Sequence, residues 1–181
     1  MRIVAAVVVA VLLSGCEPSD RASEPAPAPT ATPPRQNGRP LEFKGDTPGK
    51  TTLKEVEGRD VKWKRYEATP GVVDLVQIEG GTIAGWKADR IEYSFLDGVL
   101  SEISIEFSDL LAGGMKRLLT EKWGESFGST GGESSEISIW DQGDSHATLL
   151  KLPAWSTLTI RSEKLTEDAQ RRSDAKAKGD L

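Results

Sequence analysis

The strongest hydrophobic pattern in the chain is an alternation between residues 90 and 107. Ile91, Tyr93 and Phe95 alternate with Glu92 and Ser94, and past Asp97-Gly98 the residues Ile103, Ile105 and Phe107 alternate with Glu102, Ser104 and Glu106. Period two sends successive side chains to opposite faces of a strand, so a hairpin with one buried face is predicted. Parity then places the turn. A two-residue Asp97-Gly98 loop pairs Leu96 with Val99 and sets Tyr93 and Phe95 on the face opposite Ile103 and Ile105. A three-residue loop, Leu96-Asp97-Gly98, pairs Phe95 with Val99 and brings these apolar residues together. A type I turn closed by a G1 bulge at Gly98 is therefore predicted.

Weaker versions of the pattern predict strands at Val61–Ala68, Val72–Ile78 and Thr82–Trp86, and later at Ile137–Asp141, His146–Leu152 and Trp155–Ser162. In the last three, Ile137, Ile139, Leu150, Leu152, Leu158 and Ile160 are the expected core residues. Helical signals interrupt the strands twice. Thr52 and Glu55 have capping-box spacing ahead of a short helix that Gly58 can stop. Ser108 or Asp109 can cap a second helix that runs to about Trp123 and ends at Gly124. Met115, Leu118, Leu119 and Trp123 form its apolar stripe, and Gly113-Gly114 weakens its first turn. Successive hairpins with two such helices predict an α+β fold: a mostly antiparallel sheet of hairpins with two helices packed on one face.

The flanks follow neither period. Ile3–Leu13 is an unbroken apolar run of eleven residues behind a single charge, Arg2. It is shorter than the roughly 20 residues of a membrane span and fits the h-region of an export signal. The run ends in Leu13-Ser14-Gly15-Cys16, which resembles the lipobox of bacterial lipoproteins at all four positions. That resemblance implies cleavage before Cys16, a diacylglycerol on its thiol and acylation of its new amino group. It also implies an outer-membrane destination facing the periplasm, since Glu17 is not the Asp that favours inner-membrane retention in many such proteins. Several acyl chains on one residue anchor far more firmly than one, because each buried methylene contributes about 0.8 kcal/mol.

Four segments result: a signal peptide at 1–15, an anchor and linker at 16–40, a globular domain at 41–165 and a polar tail at 166–181. The linker carries seven of the ten prolines. It has no apolar periodicity and favours extended polyproline II, with a reach of ~25 Å as a coil and ~75 Å fully extended. The tail has no apolar face; Thr166 can cap a short helix that then frays.

Composition now sharpens the picture. The chain carries −5 overall, and residues 41–165 hold 15 Lys+Arg against 21 Asp+Glu, a net charge of −6. Such a balance argues against a nucleic-acid binder. One Cys excludes an intramolecular disulfide and one His excludes a two-His zinc site.

Most candidate chemistry has a plainer reading beside it. Gly45-Asp46-Thr47-Pro48-Gly49-Lys50-Thr51 is one residue short of a phosphate loop and reads as a turn. Gly124-Glu125-Ser126-Phe127-Gly128, with Asp141, Asp144 and His146 downstream, matches a hydrolase signature in order but lacks its strand–turn–helix context. Asp141-Gln142-Gly143-Asp144 reads as a hairpin turn rather than a calcium loop. Glu102 and Glu106 read as a solvated strand face. The pattern calls for no catalytic residue, cofactor or metal. Trp63, Trp86, Trp140 and Trp155 are harder to bury together: they pack in the core or at its rim, or, where exposed among charges, form a protein-binding surface.

Gly49–Val56 and Tyr93–Ile105 are loosely similar to the small lipoproteins of the outer-membrane barrel-assembly machinery and to the beta-lactamase-inhibitor-protein fold. That similarity implies a binding role. The expected function is therefore a lipid-anchored, non-catalytic binding protein of the bacterial envelope. Its expected partners are the bilayer, through acylated Cys16, and another envelope protein. An inhibitor or immunity protein against an envelope-acting hydrolase fits the acidic charge; the alternative is an accessory subunit of an outer-membrane complex. Replacing the thiol tests the anchor: Cys16→Ala is expected to lose labelled palmitate and to leave the membrane fraction of cell lysates.

Overall fold

The structure is a computed structural model that describes residues 40–69, 72–127 and 135–179. Cys16, nearly all of the linker and most of the Gly/Ser-rich stretch 128–135 lie outside the described residues. The elements in chain order are α1 (Leu53–Glu57), β1 (Trp63–Thr69), β2 (Val73–Ile78), β3 (Thr82–Ile83), β4 (Trp86–Lys87), β5 (Arg90–Leu96) and β6 (Val99–Ser108). A 3₁₀ turn at Asp109–Leu111 leads into α2 (Ala112–Trp123), followed by β7 (Glu136–Gln142), β8 (Ser145–Lys151), β9 (Trp155–Ser162) and α3 (Glu163–Gly179). Seven strands pair in the order β1-β2-β5-β6-β9-β8-β7, every neighbour antiparallel, and β3-β4 forms a separate small hairpin. The fold is α+β, as the alternation predicts. Leu53 and Val56 of α1 and Met115, Leu119 and Trp123 of α2 join one core with Ile91, Tyr93, Ile103 and Ile105 of the sheet.

The capping box and both glycine stops form as predicted, whereas α2 starts only at Ala112 and has no side-chain cap of its own. Thr52 accepts the Glu55 N–H while the Glu55 carboxylate accepts the Thr52 N–H, a complete capping box. Ser108 caps the 3₁₀ turn, and the Gly124 N–H closes α2 on the Thr120 carbonyl.

The β5–β6 turn differs from the expectation. It is the two-residue Asp97-Gly98 loop, both residues at positive φ (52° and 75°), with Leu96 opposite Val99. The change of parity comes inside the strand instead. Phe95 faces Leu100 but Ser94 faces Glu102, so Ser101 is the extra residue of a β-bulge. Its hydroxyl donates to the Ser94 carbonyl at 2.9 Å, which lets a buried serine occupy that position. The tight turn is favoured because both φ values match the twist of the hairpin, and its Gly98 carbonyl accepts the Leu53 N–H that opens α1.

Two strands show the opposite face from the one predicted. On β7 the inward residues are Ser138 and Trp140, and on β8 they are Ala147 and Leu149. Ile137, Ile139 and Leu150 are half-buried on the other face, and Leu152 is half-buried beyond the end of β8. Trp140 decides this. Its indole N–H donates to the Gly124 carbonyl at 2.8 Å, and its ring meets Trp123 edge-on at 5.9 Å. The displaced aliphatic residues Ile137 and Leu150 stand opposite each other across the strand pair, and the Phe127 N–H donates to the Ile139 carbonyl at 2.9 Å. On β9, Leu158 and Ile160 are buried as predicted.

The tail is also more ordered than its composition implies. α3 begins at Glu163, ahead of Thr166, and runs to Gly179 with no buried residue. Polar ties hold it. Ser162 caps the Leu165 N–H, Asp144 in the β7–β8 turn accepts the Lys164 N–H, and Arg172 pairs with Asp97 in the β5–β6 turn at 2.8 Å.

Among the described residues, one charged side chain sits wholly inside. Asp46 has no exposed surface. Its carboxylate accepts two bonds from the Arg59 guanidinium, one of 2.6 Å, and a third from the Tyr93 hydroxyl at 2.7 Å. Burial, and after it the Asp46 carboxylate, push the Tyr93 hydroxyl above its ordinary pKa, so it remains a donor. Arg59 is the half-exposed member and Asp46 the desolvated one, so the two ends of the pair are unequal. Arg59→Ala strands a buried carboxylate and is expected to cost about 3–5 kcal/mol in urea denaturation. Asp46→Asn leaves a neutral group beside a partly hydrated guanidinium and is expected to cost less.

Candidate functional site

Two hairpin tips rise beside α2. Lys44-Gly45 links Phe43 to Asp46, whose backbones exchange bonds of 3.0 and 2.9 Å. Ala84-Gly85 links Ile83 to Trp86 in the β3–β4 hairpin. All four turn residues have positive φ: 52° and 85° in the first tip, 50° and 85° in the second. These are type I′ turns, in which Asn, Asp or Gly normally fills the first position. Lys44 and Ala84 there cost roughly 1–2 kcal/mol each. The surroundings hold both in place. Asp46 is clamped by Arg59 and Tyr93, and Ile83 is buried in the core.

Between these tips and α2 lies a cleft of about 250 Å³. It is lined by Met115, Leu118, Leu119 and Trp123 of α2 and by Leu158 and Ile160 of β9, of which only Leu118 is exposed and the others belong to the core. Leu118, predicted as part of the buried stripe, is 36% exposed and faces this opening instead. Charge is confined to Glu42, Lys44 and Lys122. Lys122 Nζ lies 3.3 Å from the Glu42 carbonyl and 3.4 Å from its carboxylate. Lys44 Nζ sits 5.5 Å from the centre of the Phe43 ring and makes no salt bridge among the described residues.

The tryptophans are not gathered into one surface. Trp140 is buried in the core. Trp63 and Trp86 are half-buried against it. Trp155 is 44% exposed on the outward side of β9, opposite Ser108 and close in sequence register to Leu110, which is 87% exposed. Trp63 in β1 is four strands away from Trp155 in β9. Trp140 is thus corrected from candidate surface to core, and the proposed four-tryptophan surface is not assembled.

The remaining candidates occupy separate places. His146 bonds Asp141 through Nδ1 and Thr148 through Nε2 at 3.0 Å; Ser126 is not among its hydrogen-bond partners. Asp144 is engaged with Ser162 and the start of α3. Glu102 lies opposite Arg161 on the outward sheet face, and burial raises its carboxyl pKa while Arg161 lowers it.

The cleft was not foreseen from the sequence. The available signal was the pair of X-Gly dipeptides, Lys44-Gly45 and Ala84-Gly85, set between apolar residues.

No family model matches this chain, and no curated protein matches it. Among solved structures, it is similar to a DUF4309 family protein (YjgB) from Bacillus subtilis, with a TM-score of 0.34 and 15% identity over 70% of this chain and 88% of that one.

Gly113 and Gly114, read together as helix-weakening residues, are expected to separate on substitution. A Cβ on Gly113 meets open space, so Gly113→Ala is expected to stabilise the domain by about 0.5–1 kcal/mol in thermal unfolding. A Cβ on Gly114 falls 2.9 Å from the Trp86 ring, which must shift. Gly114→Ala is expected to lower the midpoint and to alter tryptophan fluorescence.

Proposed function

We propose that the chain is a lipid-anchored protein of the bacterial cell envelope, held by acylated Cys16 on the outer membrane and facing the periplasm. Its domain is a non-catalytic binding module. The observation that carries the binding reading is the shallow apolar opening at Leu118, set between two strained, well-braced hairpin tips. A sequence selected for stability alone would fill such a space and place Gly or Asn at both strained positions. Backbone strain held in place by its surroundings is characteristic of ligand clamps.

The anchor and linker supply reach and raise the local concentration of the domain near the membrane. The net charge of −6 on residues 41–165 speeds encounter with a basic partner, which favours an inhibitor or immunity protein acting on an envelope hydrolase.

The test is cross-linked capture from intact cells, with the native chain beside Leu118→Glu. Leu118 is exposed enough for the substitution to leave folding intact, and the new carboxylate spoils the cleft wall. The native chain is expected to capture an envelope protein and the variant at least tenfold less. Equal capture by both overturns the cleft as the contact site. Stoichiometric recovery with an outer-membrane complex in both cases favours the accessory-subunit alternative.

A further inference from the structure

We propose that one end of the domain is a membrane-contact surface, at which Trp155 and Leu110 enter the headgroup layer of an anionic bilayer beside the ammonium of Lys151. The contact is separate from the anchor at Cys16, because the folded domain itself touches lipid. It rests on the lipid-anchored reading only for its nearness to a membrane. None of these three residues lines the opening at Leu118.

Exposure is the first support. Leu110, in the 3₁₀ turn ahead of α2, is 87% exposed, and Trp155, at the start of β9, is 44% exposed. Pro153 and Ala154, which join β8 to β9, are exposed as well. These residues stand at one end of the sheet: Trp155 pairs with Ser108, and the Ser108 hydroxyl accepts the Leu110 N–H. Apolar surface left in water gains by entering lipid, and tryptophan settles at headgroup level, where its ring is in apolar surroundings and its N–H stays wet.

The second support is the build of the tip. The Leu152 N–H donates to the Trp155 carbonyl at 3.0 Å and closes a tight Pro153-Ala154 turn. Ala154 has a φ of 76°, at the position where a type II turn takes glycine. Glycine there relieves the strain, whereas alanine keeps an apolar methyl on the tip. Its four residues, Leu152 to Trp155, are all apolar. The patch is also small. A wholly exposed tryptophan presents at most ~250 Å². A stable protein interface takes ~800 Å² from each partner, more than this tip and Leu110 offer. A fluid headgroup layer needs no fitted partner surface.

Charge is the third. A recess beside the tip is lined by Lys116, Glu136 and Lys151. Lys116 engages Glu136 at 2.6 Å, while the exposed Lys151 makes no salt bridge among the described residues. Asp109, next to Leu110, is offset by the exposed Arg117 of α2. This end thus carries a surplus of positive charge on a domain whose net charge is −6. The flexible Lys151 stem lets its ammonium reach the lipid phosphates while Trp155 lies deeper.

The experiment uses residues 16–181, which contain every described residue, coupled through their one thiol, Cys16, to a maleimide lipid in vesicles. Phosphatidylcholine vesicles with and without phosphatidylglycerol carry bromine near the top of the acyl chains, and quenching of tryptophan fluorescence is read. The anionic vesicles are expected to quench part of the emission, and Trp155→Ser to remove that part. Leu110→Ser is expected to cut it about twofold with the far-UV circular dichroism unchanged, since its side chain is almost wholly exposed. Lys151→Glu is expected to cut it about twofold in anionic vesicles and to leave it unchanged in neutral ones.

No quenching in anionic vesicles, equal quenching of the native chain and Trp155→Ser, or no effect of Leu110→Ser overturns the proposal. Protein capture from intact cells that is lost in Leu110→Ser, without quenching, assigns the tip to a protein and overturns it too. Coupling through the thiol replaces natural acylation, so failure of the anchor in cells and failure of the tip are read separately. Capture that depends on Leu118 likewise stands or falls without the tip.

Discussion

The domain depends on one desolvated carboxylate. Asp46 is joined to Arg59 just beyond α1 and to Tyr93 in the middle of β5, so three separated stretches of chain meet at a single point. A buried carboxylate tolerates no loose geometry: each missing donor costs more than an ordinary hydrogen bond contributes. Satisfying Asp46 therefore pins the stretch from Leu41 to Asp46 against the sheet. It also fixes the end of the Lys44-Gly45 turn, and through that turn one wall of the cleft.

What was legible in the sequence follows from which physical effects are local. Capping and helix termination are local, and Thr52, Glu55 and Gly124 do what their spacing says, while Ser108 caps the 3₁₀ turn ahead of α2. Alternation shows that a residue lies in a strand, but the face it takes is settled by competition for volume. On β7 a single tryptophan with a partner at the end of α2 outweighed two isoleucines, and the pairing of Ile137 with Leu150 made that inversion tolerable. The β5–β6 hairpin needed one extra residue to reconcile its faces, and parity revealed the need. Its position depended on whether Ser101 could find a buried acceptor, which spacing does not encode.

The cleft was harder to read because no single residue announces it. It arises where Leu118, on an otherwise regular helix stripe, stays exposed and lines the opening together with Ile83 and Ala84 of the β3–β4 hairpin. The strain at Lys44 and Ala84 is visible only once their φ values are known. The tryptophans, by contrast, were conspicuous in sequence and turned out mostly to fill volume. Aromatic count alone says little about recognition when one ring can close a helix end and another can rest over a glycine.

The C-terminal helix is fastened by polar contacts and not by packing. Its fastenings to the hairpin turns at Asp97 and Asp144 include an exposed ion pair and helix-capping hydrogen bonds, and it buries no residue. Dissolved salt screens exposed charges over about 8–10 Å at physiological ionic strength, while strongly hydrated anions such as sulfate reinforce apolar packing. One electrolyte thus pushes the two parts in opposite senses, tightening the core as it slackens the latch. A helix held by such ties loosens in salt at concentrations that leave the apolar core intact.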